Sequence, residues 1–176
     1  MRSSRRMVLT VGGGALANLT IPTRTFAAPT EIIERRGTAR GERIWYSPRG
    51  LAVAPGTTIH FVNRDPGNSH KTTAYHPDIL DRKRRIPKGA QPWDSDFLLP
   101  DESFDVLLTV PGVYDYYCLP HEMAGMVGRI VVGRPDDAGW EGPSADMEDV
   151  MTDALTMFPP VAKILQRGRV DPEAQQ

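Results

Sequence analysis

The chain has 176 residues, of which 40% are hydrophobic and 24% charged, which fits one globular domain with extensions. Four of its 21 Lys and Arg lie in residues 1–27, where there is no acid, so the remainder sets 17 basic against 22 acidic residues for a net of −5. That balance excludes binding to nucleic acid through a basic surface, and a lone cysteine excludes an intramolecular disulfide.

Residues 1–27 read as an export signal rather than structure. Ser4-Arg5-Arg6-Met7-Val8-Leu9 resembles the twin-arginine motif, and the Gly-rich, weakly apolar run from Val8 to Ile21 is too short to span a bilayer. Thr25-Phe26-Ala27 places small residues at −3 and −1, so cleavage is expected after Ala27 and a periplasmic or other extracytoplasmic location follows. No cysteine stands near this point, so no lipid anchor is expected there.

Residues 28–41 are charged and read as a linker or an edge strand, and residues 42–133 as the main domain. Ile44-Trp45-Tyr46-Ser47 and Leu51-Ala52-Val53 have strand character, and Ala54-Pro55-Gly56-Thr57 signals a turn. Thr58 to Asn63 alternates, with Ile59 and Phe61 on one face and His60 on the other. Arg64 to Ser69 is a loop leading to His70. From Pro77 to Asp96 the chain is polar and basic, with Arg82, Lys83, Arg84, Arg85 and Lys88 among prolines. This excursion is either a solvated loop or a docking patch for an acidic partner. Ser103 to Val110 and Val113 to Tyr117 resume strand character, and Arg129 to Val132 closes the series. Seven or eight short strands separated by turns predict an all-β, Greek-key β-sandwich.

Residues 134–176 form a C-terminal extension. Met147, Val150, Met151, Ala154 and Leu155 recur at helical spacing, which predicts a helix over 145–157 that ends before Pro159-Pro160, with another helical turn over 161–166. The extension is expected to pack on the sandwich, with Met147, Met151 and Met157 serving as packing residues rather than ligands.

The stretch from Tyr116 to Val132, YYCLPHEMAGMVGRIVV, carries the chemistry. Cys118, His121 and Met126 place a thiolate, an imidazole and a thioether within nine residues. One more imidazole makes a His₂Cys site with a weak axial Met, the ligand set of blue-copper electron-transfer centres. His70 is the upstream candidate. Met123 is a rival axial residue, but Gly125-Met126 fits the longer gap, so Met126 is preferred.

The C-x-x-H-x-x-x-x-M loop followed by G-x-I-V-V closely resembles that of cupredoxins of the plastocyanin, pseudoazurin and halocyanin type, over roughly residues 43–133. The resemblance implies the sandwich fold, one type 1 copper bound by His70, Cys118, His121 and Met126, and redox partner proteins as electron donor and acceptor. It also implies that the His121 edge lies in an apolar docking surface. Many members have Asn directly after the first histidine, tying the two ligand loops together. Here Lys71 stands there, with Asn63, Asn68 or Thr72 as substitutes.

A copper chaperone or storage protein is the competing reading. It would use an exposed Met-rich or His-rich set rather than one compact His₂CysMet set. A multicopper enzyme needs more histidines than the four present, so no enzyme activity is expected. Zinc shares the Cys and His ligands but rarely takes thioether. His60 and His76 are read as non-ligands, and the mature chain as a monomer without a membrane span.

Overall fold

A computed structural model describes residues 28–38 and 40–172. The export signal expected over 1–27 lies outside the described residues. Two sheets pack face to face. One joins β2 (Ile44–Ser47), β1 (Thr30–Gly37), β4 (Thr57–Asn63) and β6 (Ser103–Leu108), in that order. The other joins β5 (Thr73–Ala74), β7 (Gly112–Tyr117), β8 (Val127–Val132), β3 (Gly50–Val53) and β9 (Arg169–Val170). The chain changes sheet between β2 and β3, β3 and β4, β4 and β5, β5 and β6, and β6 and β7, as a Greek-key sandwich requires.

The stretch expected to be a linker or edge strand is neither. β1 runs parallel to β4 on one side and antiparallel to β2 on the other, so it lies inside its sheet. Its alternation explains this: Ile33 and Arg35 point inward and are fully buried, while Glu34 and Arg36 pair with each other outside. The many charges hid a strand whose inward face carries a buried arginine.

The main core lies between the sheets. Ile33, Tyr46, Ile59, Phe61, Tyr114, Tyr116 and Ile130 form it, together with Cys118 and Met126. Tyr116 stands edge-on to Tyr46 at 4.8 Å and to Phe61 at 5.3 Å between ring centroids, a favoured aromatic geometry. Gly128 makes room for it, since a Cβ there would stand 2.3 Å from the Tyr116 ring.

β7 and β8 are buried along their whole length, on both faces. The second cover is the C-terminal extension. Val150, Ala154 and Phe158 close over Tyr75, Tyr117 and Val127, while Ile164 and Val170 close over Val113 and Val131. Its helices are α1 (Thr152–Met157) and α2 (Val161–Arg167), and it supplies β9, a strand the sequence did not suggest.

α1 starts later than expected. Before it, side chains take the backbone groups a helix would use: Asp146 N–H donates to Ser144 Oγ at 3.2 Å, Glu148 N–H donates to Asp146 Oδ1 at 3.0 Å, and Arg85 and Arg82 hold the carbonyls of Asp146 and Asp149. Met147 and Met151 therefore lie outside the helix, 61% and 48% exposed, and are not the packing residues expected of them.

The basic excursion is also redefined. Arg85 is buried and donates to Asp115 Oδ2 at 2.9 Å, Arg82 pairs with Glu122 and Asp149, and Arg84 pairs with Glu141. Most of this charge is spent on internal pairs that clamp the extension to the sandwich. It is neither a free docking patch nor a merely solvated loop.

Candidate metal centre

The first component is set by the end of β4 and the loop after it. His70 exchanges two backbone hydrogen bonds with Leu98, 3.1 Å and 3.0 Å long, which fix it beside the 95–99 segment. The second is set by the turn after β7. Leu119–Ala124 is a 3₁₀ helix with Pro120 in its first turn, and Gly125 ends it at φ 74°, a left-handed conformation that suits glycine. His121 N–H returns to the Cys118 carbonyl at 2.9 Å, Met126 N–H to the His121 carbonyl at 3.1 Å, and Cys118 N–H to the Met126 carbonyl at 3.0 Å. The loop closes on itself and brings Cys118 and His121 together beside His70.

The result is a compact cluster. His70 Nδ1 lies 3.2 Å from His121 Nδ1, and Cys118 Sγ lies 3.7 Å from the first and 3.3 Å from the second. Atoms spaced this way lie about 2 Å from a common centre, the reach of a metal–nitrogen bond (about 2.0–2.1 Å for zinc) and slightly under that of a metal–sulfur bond (about 2.3 Å). The two imidazole rings are tilted by 58°. The residues therefore fit a metal held by two imidazoles and a thiolate.

Protonation states agree with ligation. Burial lowers the His70 pKa, against the opposing pull of Asp65, and burial with the neighbouring His70 lowers that of His121. Both rings are therefore neutral at pH 7. Asp65 Oδ2 can only accept, so His70 Nε2, 2.9 Å away, carries the proton and Nδ1 presents its lone pair to the cluster. Burial pushes the Cys118 thiol up to about 11, against the lowering effects of the Lys71 N–H, 3.3 Å from Sγ, and of the Arg35 charge. A bound metal cation replaces that thiol proton outright.

Met126 is fully buried in the same core cluster as Cys118, whereas Met123 is 73% exposed. His60 pairs with Asp105 at 2.6 Å and His76 with Asp78 at 3.6 Å, both apart from the cluster. Lys71 reaches Asp94 and Phe97 with its side chain, and its main-chain N–H bonds the thiolate position. Asn63 donates to the Asn68 and Leu98 carbonyls, Asn68 binds Asp65, and Thr72 binds Arg35 and Tyr46, so of these residues it is Lys71, through its main chain, that ties the His70 segment to Cys118. Three contributors escaped sequence reasoning: Asp65, Arg35 and Glu122. Asp65 alone left a signal, an Asp-Pro-Gly-Asn turn ahead of the histidine.

Two packed sheets carrying a His–Cys–His cluster define the protein as a copper-binding β-sandwich of the cupredoxin class. More narrowly, the chain belongs to the plastocyanin/azurin family of copper-binding proteins, whose family model matches residues 34–133. It is 32% identical over 136 residues to the chloroplastic plastocyanin of Chlamydomonas reinhardtii, covering 75% of this chain and 86% of that one. It is 36% identical over 94 residues to chloroplastic plastocyanin from Hordeum vulgare, covering 53% of this chain and 58% of that one. Among solved structures, a pseudoazurin from Sinorhizobium meliloti is similar, with 31% identity and a TM-score of 0.46 over 61% of this chain and 76% of that one. As a member of this plastocyanin-containing family, the chain is a copper electron-transfer protein rather than an enzyme.

Proposed function

We propose that His70 Nδ1, Cys118 Sγ and His121 Nδ1 bind one type 1 copper, with Met126 as the weak axial ligand, and that the protein shuttles single electrons between redox proteins outside the cytoplasm. The observation that carries the assignment is the convergence of those three atoms within 3.2–3.7 Å of one another. The full burial of Met126 and its backbone bonds to Cys118 and His121 support its place in the set. When bound, copper supplies a one-electron couple, and thiolate, imidazole and thioether ligands suit both of its oxidation states. The folded, closed ligand loop limits what must move on electron transfer.

His121 is only partly buried, which makes its ring edge the route by which electrons enter and leave. Exposed apolar side chains occur on both ligand segments: Leu119 and Met123 after Cys118, Phe97 and Leu99 on either side of the residue bonded to His70. They support docking by partner proteins on this face. The twin-arginine-like Ser4-Arg5-Arg6 segment supports export. Among the described residues no helix is long and apolar enough to cross a membrane. Copper delivery is disfavoured because the cluster is compact and buried rather than open.

The test is the visible absorption and electron paramagnetic resonance spectrum of the Cu(II) protein beside Cys118→Ser. An intense thiolate-to-copper band with narrow hyperfine splitting, absent in the variant, is expected. A colourless wild-type protein, or a copper signal indifferent to Cys118, overturns the reading.

A further inference from the structure

Asp65 is a fully buried carboxylate in a seat built from three segments. Its Oδ2 accepts from His70 Nε2 at 2.9 Å and from Asn68 Nδ2 at 2.9 Å, and its Oδ1 accepts the Gly67 N–H at 2.9 Å. Its own N–H donates to Asn63 Oδ1 at 2.9 Å. Gly37, at the end of β1, backs the seat: any Cβ there would stand 2.0 Å from Asp65 Oδ2. Both oxygens of Asp65 accept, from three donors in all, the bonding pattern of an ionised carboxylate.

A buried charge is costly unless paired. Among the described residues the one basic side chain within ion-pair distance of Asp65 is His70, whose other ring nitrogen, Nδ1, faces Cys118 and His121. The cation that matches Asp65 is therefore the metal on the far side of the imidazole. A carboxylate on the outer nitrogen of a ligating histidine fixes the tautomer and makes the ring a stronger donor.

We propose that Asp65 is the positioning residue of the copper centre: it locks His70 in the Nε2–H tautomer, and its buried negative charge lowers the centre's reduction potential. This rests on the electron-carrier reading above. The direction follows from charge. Reduction adds one electron and removes one unit of positive charge from the site, so a fixed anion nearby favours the oxidised form. Arg35, buried beside Thr72, acts in the opposite sense, and removing Asp65 alone leaves that effect uncompensated.

The experiment uses the copper-loaded full chain and its Asp65→Asn and Asn68→Ala variants, with the midpoint potential read by spectroelectrochemical titration. Asp65→Asn keeps size and a hydrogen-bond acceptor but loses the charge. The expected result is an upward shift equal to at least a tenfold change in the Cu(I)/Cu(II) ratio at fixed ambient potential, about 59 mV for a one-electron couple. Asn68→Ala, at a partly exposed position, keeps the charge and strips a donor from it, so the potential moves downward. A merely structural role for Asp65 does not produce shifts of opposite sign. Nitrogen-15 spectra of metal-free protein report the tautomer: Nε2–H in the wild type and a mixture in Asp65→Asn. Should Asp65→Asn not fold, the sign of the Asn68→Ala shift and the wild-type tautomer decide the matter. A blue, folded Asp65→Asn with unchanged potential, or an Asn68→Ala potential that stays or rises, overturns the proposal and leaves the electron-carrier reading intact. A wild-type protein without the thiolate–copper band overturns both.

Discussion

Arg82 grips Glu122 with both terminal nitrogens: Nη1 donates to Oε2 at 3.0 Å and Nη2 to Oε1 at 2.8 Å. Glu122 directly follows His121 in the metal-binding loop, and Arg82 also donates through Nε to Asp149 of the C-terminal extension at 3.0 Å. Tyr75 Oη adds a third donor to Glu122 at 2.8 Å. Arg82 thus couples the turn that presents His121 to the outer layer, and its guanidinium covers the Tyr75 and Tyr117 rings at 4.8 Å and 4.7 Å.

Replacing Arg82 by Met is expected to cost roughly 3–5 kcal/mol, because Glu122, 6% exposed, is left as a buried charge without its cation. Denaturant titration at matched metal loading measures this. Adding Glu122→Gln to Arg82→Met recovers much of the loss, since the orphaned charge is then gone. Copper exchange with a chelator is expected to be faster in the single variant.

The two loop methionines separate cleanly. Met126→Leu changes little volume, so stability falls by less than about 1.5 kcal/mol. The variant is expected to retain copper but to show an altered thiolate-to-copper spectrum and a shifted potential. Met123→Leu, at a 73% exposed position, leaves both unchanged. Paired absorption and potential measurements check the contrast.

Copper binding is expected to release a proton over a wide pH window. In the metal-free protein the Cys118 thiol holds its proton up to about 11, whereas both histidines, lowered from their ordinary value, are already neutral at pH 7. Metal must expel the thiol proton, so affinity rises about tenfold per pH unit from pH 7 toward pH 10, with one proton released per copper. It falls more steeply once the pH drops into the histidine range, where protons compete for Nδ1 as well. Competition titrations with a chelator of known pH dependence test the slope.

Gly125→Ala is expected to destabilise the site from two directions. The position has φ +74°, a conformation that costs an L-residue about 1–2 kcal/mol, and a Cβ there would stand 2.9 Å from Met157 Cγ of α1. The variant should melt at lower temperature and show a heterogeneous Cu(II) resonance, because the turn between His121 and Met126 no longer closes in one form. Adding Met157→Ala relieves the contact but not the backbone cost, so only part of the stability returns.

Much of the site was legible in sequence because its loop is local. Cys118, His121 and Met126 lie within nine residues of chain, and Pro120 and Gly125 dictate where that loop bends. β2, β3, β4, β6, β7 and β8 showed themselves by alternation and by Pro-Gly turns. β1 did not, since four of its eight residues are charged and one of those, Arg35, faces inward against Phe61 at 5.6 Å. No pattern of alternation distinguishes a buried arginine from an exposed one.

What the sequence determined by itself was the metal-binding chemistry and the strand-rich class, both carried by residue types at short spacing. Tertiary structure alone decided which distant charges meet. It put Arg82 on Glu122, and Asp115 between Arg85 and Arg129 at 2.9 Å and 2.7 Å. It also laid the extension over β7 and β8, burying both faces of each strand. The physical reason is one of range. Turn chemistry and side-chain period act over a few residues, whereas a buried charge finds its partner only after the sheets have packed, and that choice leaves no local trace in the chain.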